Sequence, residues 1–508
     1  MKGLKNMKYN STTDKKIVVS ASQAIAQGIS TDGGLFVPVE IPHYTLDDIS
    51  ELAKLDYRGR AKKILSDYLD DFTKEEIDEC VEKAYTKEKF GSDDPAPISF
   101  EKFGDTDMNI LELWHGPTSA FKDMALQILP HLLTKSLRKT SPDKEVVILV
   151  ATSGDTGKAA LEGFKDVDGT KIMVFYPVDG VSPMQKRQMN TQEGNNVAVC
   201  AIKGNFDDAQ TGVKQIFTDK DLIKKLNENG YIFSSANSIN WGRLLPQIVY
   251  YFSAYANLLN SGKISLGDKI NVAVPTGNFG NILASYYAYR MGLPINKFIC
   301  ASNSNNVLTD FISTGVYDKN RHFYATISPS MDILVSSNLE RFLYHMTDGN
   351  DTLVKSWMTS LKTEGKYSVD DTTKSKITDI FAGGFCDDEK TQQIIGEFFN
   401  KYGYLCDTHT AVAVSVYKDY VEKTGDKTVT VIDSTASPYK FSKAVLEAVS
   451  ENDTLPDDEF AMVDMLSQKT NTDVPAPLAA LKTKETRFSS VCDKSEMADF
   501  VLSTLGVQ

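Results

Sequence analysis

The chain has 508 residues, 41% hydrophobic and 24% charged, enough to build two to four globular domains. Its 68 acidic residues against 55 basic ones give a net charge of −13, which argues against nucleic acid or an anionic membrane as partner, so any phosphate must be held locally. The cysteines Cys80, Cys200, Cys300, Cys386, Cys406 and Cys492 are scattered, without a CxxC pair or metal-ligand spacing, and read as reduced thiols with no metal site.

The opening MKGLKNMKYNSTTDKK is polar and lacks an apolar core segment, and no apolar run reaches membrane-spanning length, so a cytoplasmic protein is expected. A DGGLFVP turn (32–38) precedes charged helical sequence over 46–89, which sets residues 1–95 apart as an N-terminal domain. DDPAPIS (93–99) reads as the linker. Residues 96–470 then repeat one grammar: a β-branched apolar run, a turn of Gly, Asn, Asp or Ser, and a helical pattern. EVVILVA, KIMVFYPV, NVAVCAI, KINVAVP and TVTVIDS are the five runs, and they predict a doubly wound α/β body on mainly parallel sheets. Residues near 150–260 form a smaller mobile subdomain, those near 340–400 a peripheral helical insertion, and 471–508 a tail packed on the body.

HGPTSAFKDMALQIL (115–129) places Lys122 at the start of a helix, with Thr118 or Ser119 as N-cap. A lone lysine on an amphipathic helix is ordinarily solvated; one flanked by core-facing positions at a helix start can carry chemistry, because positive surroundings depress its pKa. VAVPTGNFGNILAS ends an apolar strand in Thr276, Gly277, Asn278, Phe279, Gly280 and Asn281 directly before a helix. Such a turn aims backbone N–H groups at a phosphate dianion, or is simply a tight βα turn. It is neither a P-loop nor a dinucleotide fingerprint. ATSGDTGKAA repeats the design, with Ser153, Gly154, Asp155, Thr156 and Gly157 suited to a carboxylate or a ring hydroxyl. A loop for one phosphate, a second polar loop and a partly buried lysine together suggest pyridoxal phosphate held as a Schiff base.

The segments YNSTTDKK, QGISTDGGLFVP, LWHGPTSAFKD, ATSGDTGKAA, SPMQKRQM, SANSINWGRLLPQIVYYF, VPTGNFGN, CDTHTAVAV and DSTASPYKF resemble, in order and spacing, those of threonine synthases. These are pyridoxal-phosphate enzymes of fold type II (tryptophan synthase β-like), here in the longer form with an N-terminal domain. The resemblance implies Lys122 as the Schiff-base lysine, Gly277 to Asn281 around the cofactor phosphate, and Thr435 at the pyridine nitrogen. It also implies Asp155 near the ring hydroxyl, and Ser153, Gly154, Thr156 and Gly157 around the substrate carboxylate. The substrate would be a small phosphorylated amino acid, O-phosphohomoserine, whose phosphate needs basic groups. Arg243, Asn240, Lys186 and Arg187 are the candidates, arginine being favoured for its bidentate geometry. His115 is a supporting residue beside Lys122, and His409 reads as architectural between two possible capping threonines. The implied reaction is γ-elimination of phosphate and β-addition of water, giving threonine, by a monomer or small homo-oligomer. Alternatives are a phospholyase releasing 2-oxobutyrate and a non-catalytic sensor of a phosphate ligand.

Overall fold

The computed structural model describes residues 7–99, 103, 106–152, 154–179, 181–450 and 453–507. All five apolar runs become strands, and their near-continuous apolar character reflects burial on both faces of parallel sheets. The larger sheet orders Phe381–Phe385, Ile295–Ser302, Ile270–Pro275, Thr430–Ser434, Met108–Glu112 and Ile98–Ser99, parallel throughout except for the last pair. The smaller sheet is entirely parallel and orders Ser490–Cys492, Val197–Ile202, Thr170–Pro177, Glu145–Ala151 and Tyr231–Ser234.

The helix Trp241–Asn260 is buried along nearly its whole length. That suits a sequence apolar on every face, which must lie inside a core rather than on it. It packs on the helix Gly280–Arg290 and on Leu46–Ala53 and Tyr57–Tyr68 from the N-terminal region. Those N-terminal helices start where side-chain caps occur, at Ser20, Thr45, Asp56 and Thr73. Ahead of them a small antiparallel sheet centres on Tyr9–Ser11, between Val18–Val19 and Phe36–Pro38.

Three segments differ from expectation. The stretch near 340–400 is not wholly a peripheral helical insertion, because Phe381–Phe385 forms the edge of the larger sheet. Its FAGGF sequence lacks the β-branched residues that mark a strand, yet both glycines serve packing: a Cβ would lie 3.1 Å from the Thr309 backbone at Gly383 and 2.6 Å from Val416 at Gly384. The supposed linker 93–99 ends in a sheet strand, Ile98–Ser99. The tail does more than pack on the body, since Ser490–Cys492 joins the smaller sheet as an edge strand.

Candidate active site

The segment bearing Lys122 is bent rather than helical. Ser119 takes a left-handed φ of 57°, and Lys122 itself is the N-cap of a single-turn helix, Asp123–Leu126. Thr118 is therefore not the cap; its amide and hydroxyl donate to the Asp123 carboxylate at 2.8 and 2.7 Å. A Cβ at Gly116 would lie 2.5 Å from the same side chain. The segment is laced antiparallel to the residues that follow the strand Thr430–Ser434: Phe121 N–H donates to Thr435 O (2.8 Å) and Ser437 N–H to Ser119 O (3.0 Å). Thr435 is buried at this seam, beside the turn that presents Lys122.

Lys122 Nζ lies 3.9 Å from the Asp155 carboxylate and 3.4 Å from Ser330 Oγ. Burial pushes its pKa down to about 8; Asp155 opposes that shift, while Lys440 and Arg243 add to it. A fraction of the amine is therefore neutral near physiological pH, as a nucleophile or base requires. Asp155 is pulled two ways. Burial alone would raise its pKa, but the Lys440 ammonium at 2.6 Å, Lys122, and the Gln185 amide at 3.0 Å hold it well below the usual carboxylate range. Lys440 is itself buried and also donates to Thr118 O at 2.9 Å.

Asp155 opens the helix Asp155–Phe164. The turn before it is organised by Thr152, whose hydroxyl accepts from Gly154 N and Gly157 N, each at 3.0 Å. Ser153 lies outside the described residues. A Cβ at Gly154 would stand 2.5 Å from Gln185, so this turn needs its glycine to approach that side chain.

The 276–281 turn begins the helix Gly280–Arg290, with Phe279 as N-cap at φ 61° and no side-chain cap. The Phe279 ring is buried against Phe342 and Phe381, which anchors the strained residue. Asn281 turns its side chain inward, where Oδ1 lies 2.7 Å from the Tyr251 hydroxyl and its own Nδ2 donates to Asp433 at 2.9 Å. Gly277 faces Ser330: a Cβ there would meet Ser330 O at 2.7 Å. Ser330, the neighbour of Lys122 Nζ, thus joins the lysine to the glycine turn. Its amide donates to His409 Nε2 at 3.1 Å, and His409 Nδ1 faces Asp407 at 2.7 Å. Asp407, not a threonine, caps that helix.

Arg243 is buried, and burial lowers its pKa to about 10 with no carboxylate offsetting it. One guanidinium nitrogen donates to Ala236 O, and Nε has no partner among the described residues. A buried guanidinium nitrogen of this kind carries an unmet hydrogen-bonding demand.

Other expected residues lie elsewhere. Arg187 is spent on the tail, donating to Leu481 O (3.1 Å), Thr486 Oγ1 (2.9 Å) and Lys484 O. Asn240 is an N-cap: its oxygen takes Gly242 N–H at 2.8 Å, and its amide donates to Ile25 O and Ser235 O. That leaves the Asn240 amide nothing for a substrate. Lys186 sits half-buried on the helix Pro183–Asn190, whose Gln185 reaches Asp155. His115 pairs with Glu112 at 2.7 Å and stacks on Trp114, so it supports the strand end rather than the lysine. Sequence reasoning missed Thr152, Gln185, Ser330 and Lys440. Only Lys440 carried a signal, as a cation inside the otherwise uncharged run after Asp433.

The residues present fit pyridoxal phosphate. A desolvated lysine lies near a turn whose helix N-terminus lacks a side-chain cap, with the Asp155–Lys440 ion pair and the hydroxyl-bearing Thr435 at a strand end beside it. Among the described residues, no group of His, Cys, Asp or Glu is arranged to hold a metal, and no helix is long and apolar enough to cross a membrane.

Family models match along most of the chain: threonine synthase N terminus over residues 8–85, pyridoxal-phosphate dependent enzyme over 110–434, and threonine synthase C-terminal over 410–501. Threonine synthase-like 1 of Homo sapiens is 41% identical over 442 residues, covering 84% of this chain but 58% of that protein. The chain thus spans a little over half the length of such relatives. Threonine synthase of Saccharomyces cerevisiae is 36% identical, covering 89% of this chain and 92% of the relative. The solved yeast threonine synthase superposes with a TM-score of 0.88 at 33% identity, covering 99% of each chain. The pyridoxal-phosphate-bound enzyme of Brucella melitensis gives 0.86 at 34%, over 98% of this chain and 99% of its own. With a lysine, a glycine turn and a parallel-sheet frame of this kind, the chain belongs to the threonine synthase family of pyridoxal-phosphate enzymes of fold type II.

Proposed function

We propose that this chain is a threonine synthase, converting O-phospho-L-homoserine and water to L-threonine and phosphate. The observation that carries the reading is the buried Arg243 guanidinium, which has no carboxylate partner among the described residues and lies close enough to Lys122 to depress its pKa. A fold type II site needs one phosphate cradle for the cofactor, and the 277–281 turn serves for that. A buried guanidinium beside the lysine, with a nitrogen still unpaired, suits a second phosphate, on the substrate. Bound pyridoxal phosphate supplies an electron sink conjugated to the substrate Cα.

Lys122 Nζ would hold the cofactor at rest and, once released by the substrate amine, would serve as the local base. The freed amine, with a pKa near 8 set by burial, removes the Cα proton and then a Cβ proton while phosphate departs from Cγ toward Arg243, and one of these protons is returned to Cγ, which becomes the methyl group. Water adds at Cβ, and Lys122 returns a proton to Cα. Gly154, Thr156 and Gly157 offer the substrate carboxylate a turn beside Asp155. Thr435 presents a hydroxyl to the pyridine nitrogen, which, unlike a carboxylate, does not hold it fully protonated. The free, buried cysteines support a reducing, cytoplasmic setting.

Incubation with O-phosphohomoserine, following phosphate and the carbon product, tests the assignment. Threonine with stoichiometric phosphate is expected; absence of phosphate release overturns it. Because the chain is also 41% identical to threonine synthase-like 1, the carbon product is identified as well as the phosphate, and 2-oxobutyrate with ammonia in place of threonine overturns the synthase assignment in favour of elimination alone. Lys122→Ala is expected to abolish both turnover and the visible absorption of the bound cofactor while the far-ultraviolet circular dichroism stays native. Turnover surviving in that variant removes Lys122 from the reaction.

A further inference from the structure

We propose that Arg341 is a positioning residue through which the N-terminal sheet sets the peptide planes of the 277–279 turn; the inference rests on reading 277–281 as the cofactor-phosphate loop. Arg341 lies on the helix Leu339–Met346 and is fully buried. Its three guanidinium nitrogens go to three acceptors, two of them on distant segments and the third on the cap of its own helix. Nε donates to Phe36 O of the N-terminal sheet (2.9 Å), one terminal nitrogen to Asn338 Oδ1 (2.6 Å), and the other to Ile239 O (2.5 Å), in the turn that leads to Arg243. All three acceptors are neutral oxygens. A buried guanidinium is expensive, and an apolar side chain would fill the space more favourably. What arginine adds is a planar fork that fixes three acceptors relative to one another, which lysine cannot match.

Asn338 relays this arrangement. Its backbone N–H and its Nδ2 both donate to Asn278 O, each at 3.1 Å, and Nδ2 also reaches Ser238 O at 3.2 Å. Ser336 Oγ donates to Gly277 O at 2.7 Å. Because a peptide unit is planar and trans, fixing a carbonyl on one side fixes the next residue's N–H on the other. Holding the carbonyls of Gly277 and Asn278 from outside therefore aims the amides of Asn278 and Phe279 away from Asn338, and it keeps Phe279 at its left-handed φ of 61°. The N-terminal region grips the same assembly beyond Phe36. Glu340 accepts from Leu35 N–H at 3.3 Å and from the Thr12 hydroxyl, and Asn240 and Ser234 donate to Ile25 O and Ala26 O at 3.0 and 2.8 Å. The N-terminal region is thus part of the site's scaffold.

The test uses Arg341→Lys and, as control for the loop itself, Gly277→Ala, whose Cβ would meet Ser330 O. Pyridoxal phosphate affinity is measured by titrating apoprotein, and the 31P resonance of the bound cofactor is recorded. Arg341→Lys is expected to weaken binding about tenfold and to shift the resonance, with kcat/KM falling and the circular dichroism native. Unchanged affinity and resonance in folded Arg341→Lys, alongside weakened binding in Gly277→Ala, overturn the inference alone. Unchanged binding in both overturns the reading of the loop and the inference with it. In the unaltered protein, hydrogen exchange of residues 9–11 and 35–37 is expected to slow at least about threefold when cofactor is added. Should Arg341→Lys fail to fold, that measurement decides, and no change there overturns the inference.

Discussion

Two ammonium groups, those of Lys122 and Lys440, share the Asp155 carboxylate at 3.9 and 2.6 Å. Lys440 takes the closer place, so Asp155 stabilises the Lys122 ammonium less than it would alone, and the amine stays reactive. Lys440→Met removes that competing charge. The Lys122 pKa is expected to rise above about 8, so apoprotein should combine with pyridoxal phosphate several-fold more slowly at pH 7.5, with the pH midpoint of that rate moved upward; an unmoved midpoint counts against it. Breaking a buried pair also destabilises by about 3–5 kcal/mol. Asp433 titrates in the opposite sense. Burial lifts it to about 7, against hydrogen bonds from Tyr251 and Asn281. Its folded pKa exceeds the unfolded value of 3.8, so stability is fullest below the unfolded pKa and is lost as pH rises toward 7, where the folded state must give up a proton it favours. Asp433→Asn keeps the shape without the charge. Its unfolding midpoint relative to the unaltered protein should climb between about pH 4 and 7 and then level; a difference independent of pH refutes the titration. Lys122 and the glycine turn were legible because chain neighbours announce them. Ser330 and Thr152 were not, because serine and threonine in loops are ordinary, and only tertiary contact brings Ser330 to Lys122. Asn240 misled for a related reason: a cap and a ligand need the same side chain.

Helix Asp155–Phe164 crosses the single turn Asp123–Leu126 so closely that a Cβ at Gly163 would stand 1.9 Å from Leu126 O. The two helices carry Asp155 and follow Lys122, so their spacing sets the distance between amine and carboxylate. Gly163→Ala must separate them, at about 1–3 kcal/mol by the usual measure of overpacking. A lower urea midpoint and weaker cofactor binding are expected together; a loss of stability with unchanged cofactor affinity would mean that the crossing does not govern the site. At this scale the sequence spoke clearly where a strand is buried on both faces, as in KINVAVP and EVVILVA. It was silent at Phe381–Phe385, where close backbone approach demanded glycine, and at Ile98–Ser99 and Ser490–Cys492. Two- and three-residue edge strands have too little pattern to show and are made by their partners.

The whole molecule closes through its tail. Ser490–Cys492 covers the edge of Val197–Ile202, and Met497 and Val501 complete the apolar cluster with Val213 and Ile216. A chain ending at residue 487 should expose that edge and cluster, unfold the smaller sheet at lower urea than the rest, and scatter light on standing. A single transition at the original midpoint would show the tail to be dispensable. The same pairing has a consequence in time. Cys200 and Cys492, whose sulfurs lie 3.4 Å apart, are separated by 292 residues. At ordinary synthesis speeds of about 5–20 residues per second, the open edge waits roughly 15 to 60 s on the ribosome for the strand that covers it. The protein's most vulnerable moment is thus set by translation, and a slow stretch of message after residue 200 would lengthen it.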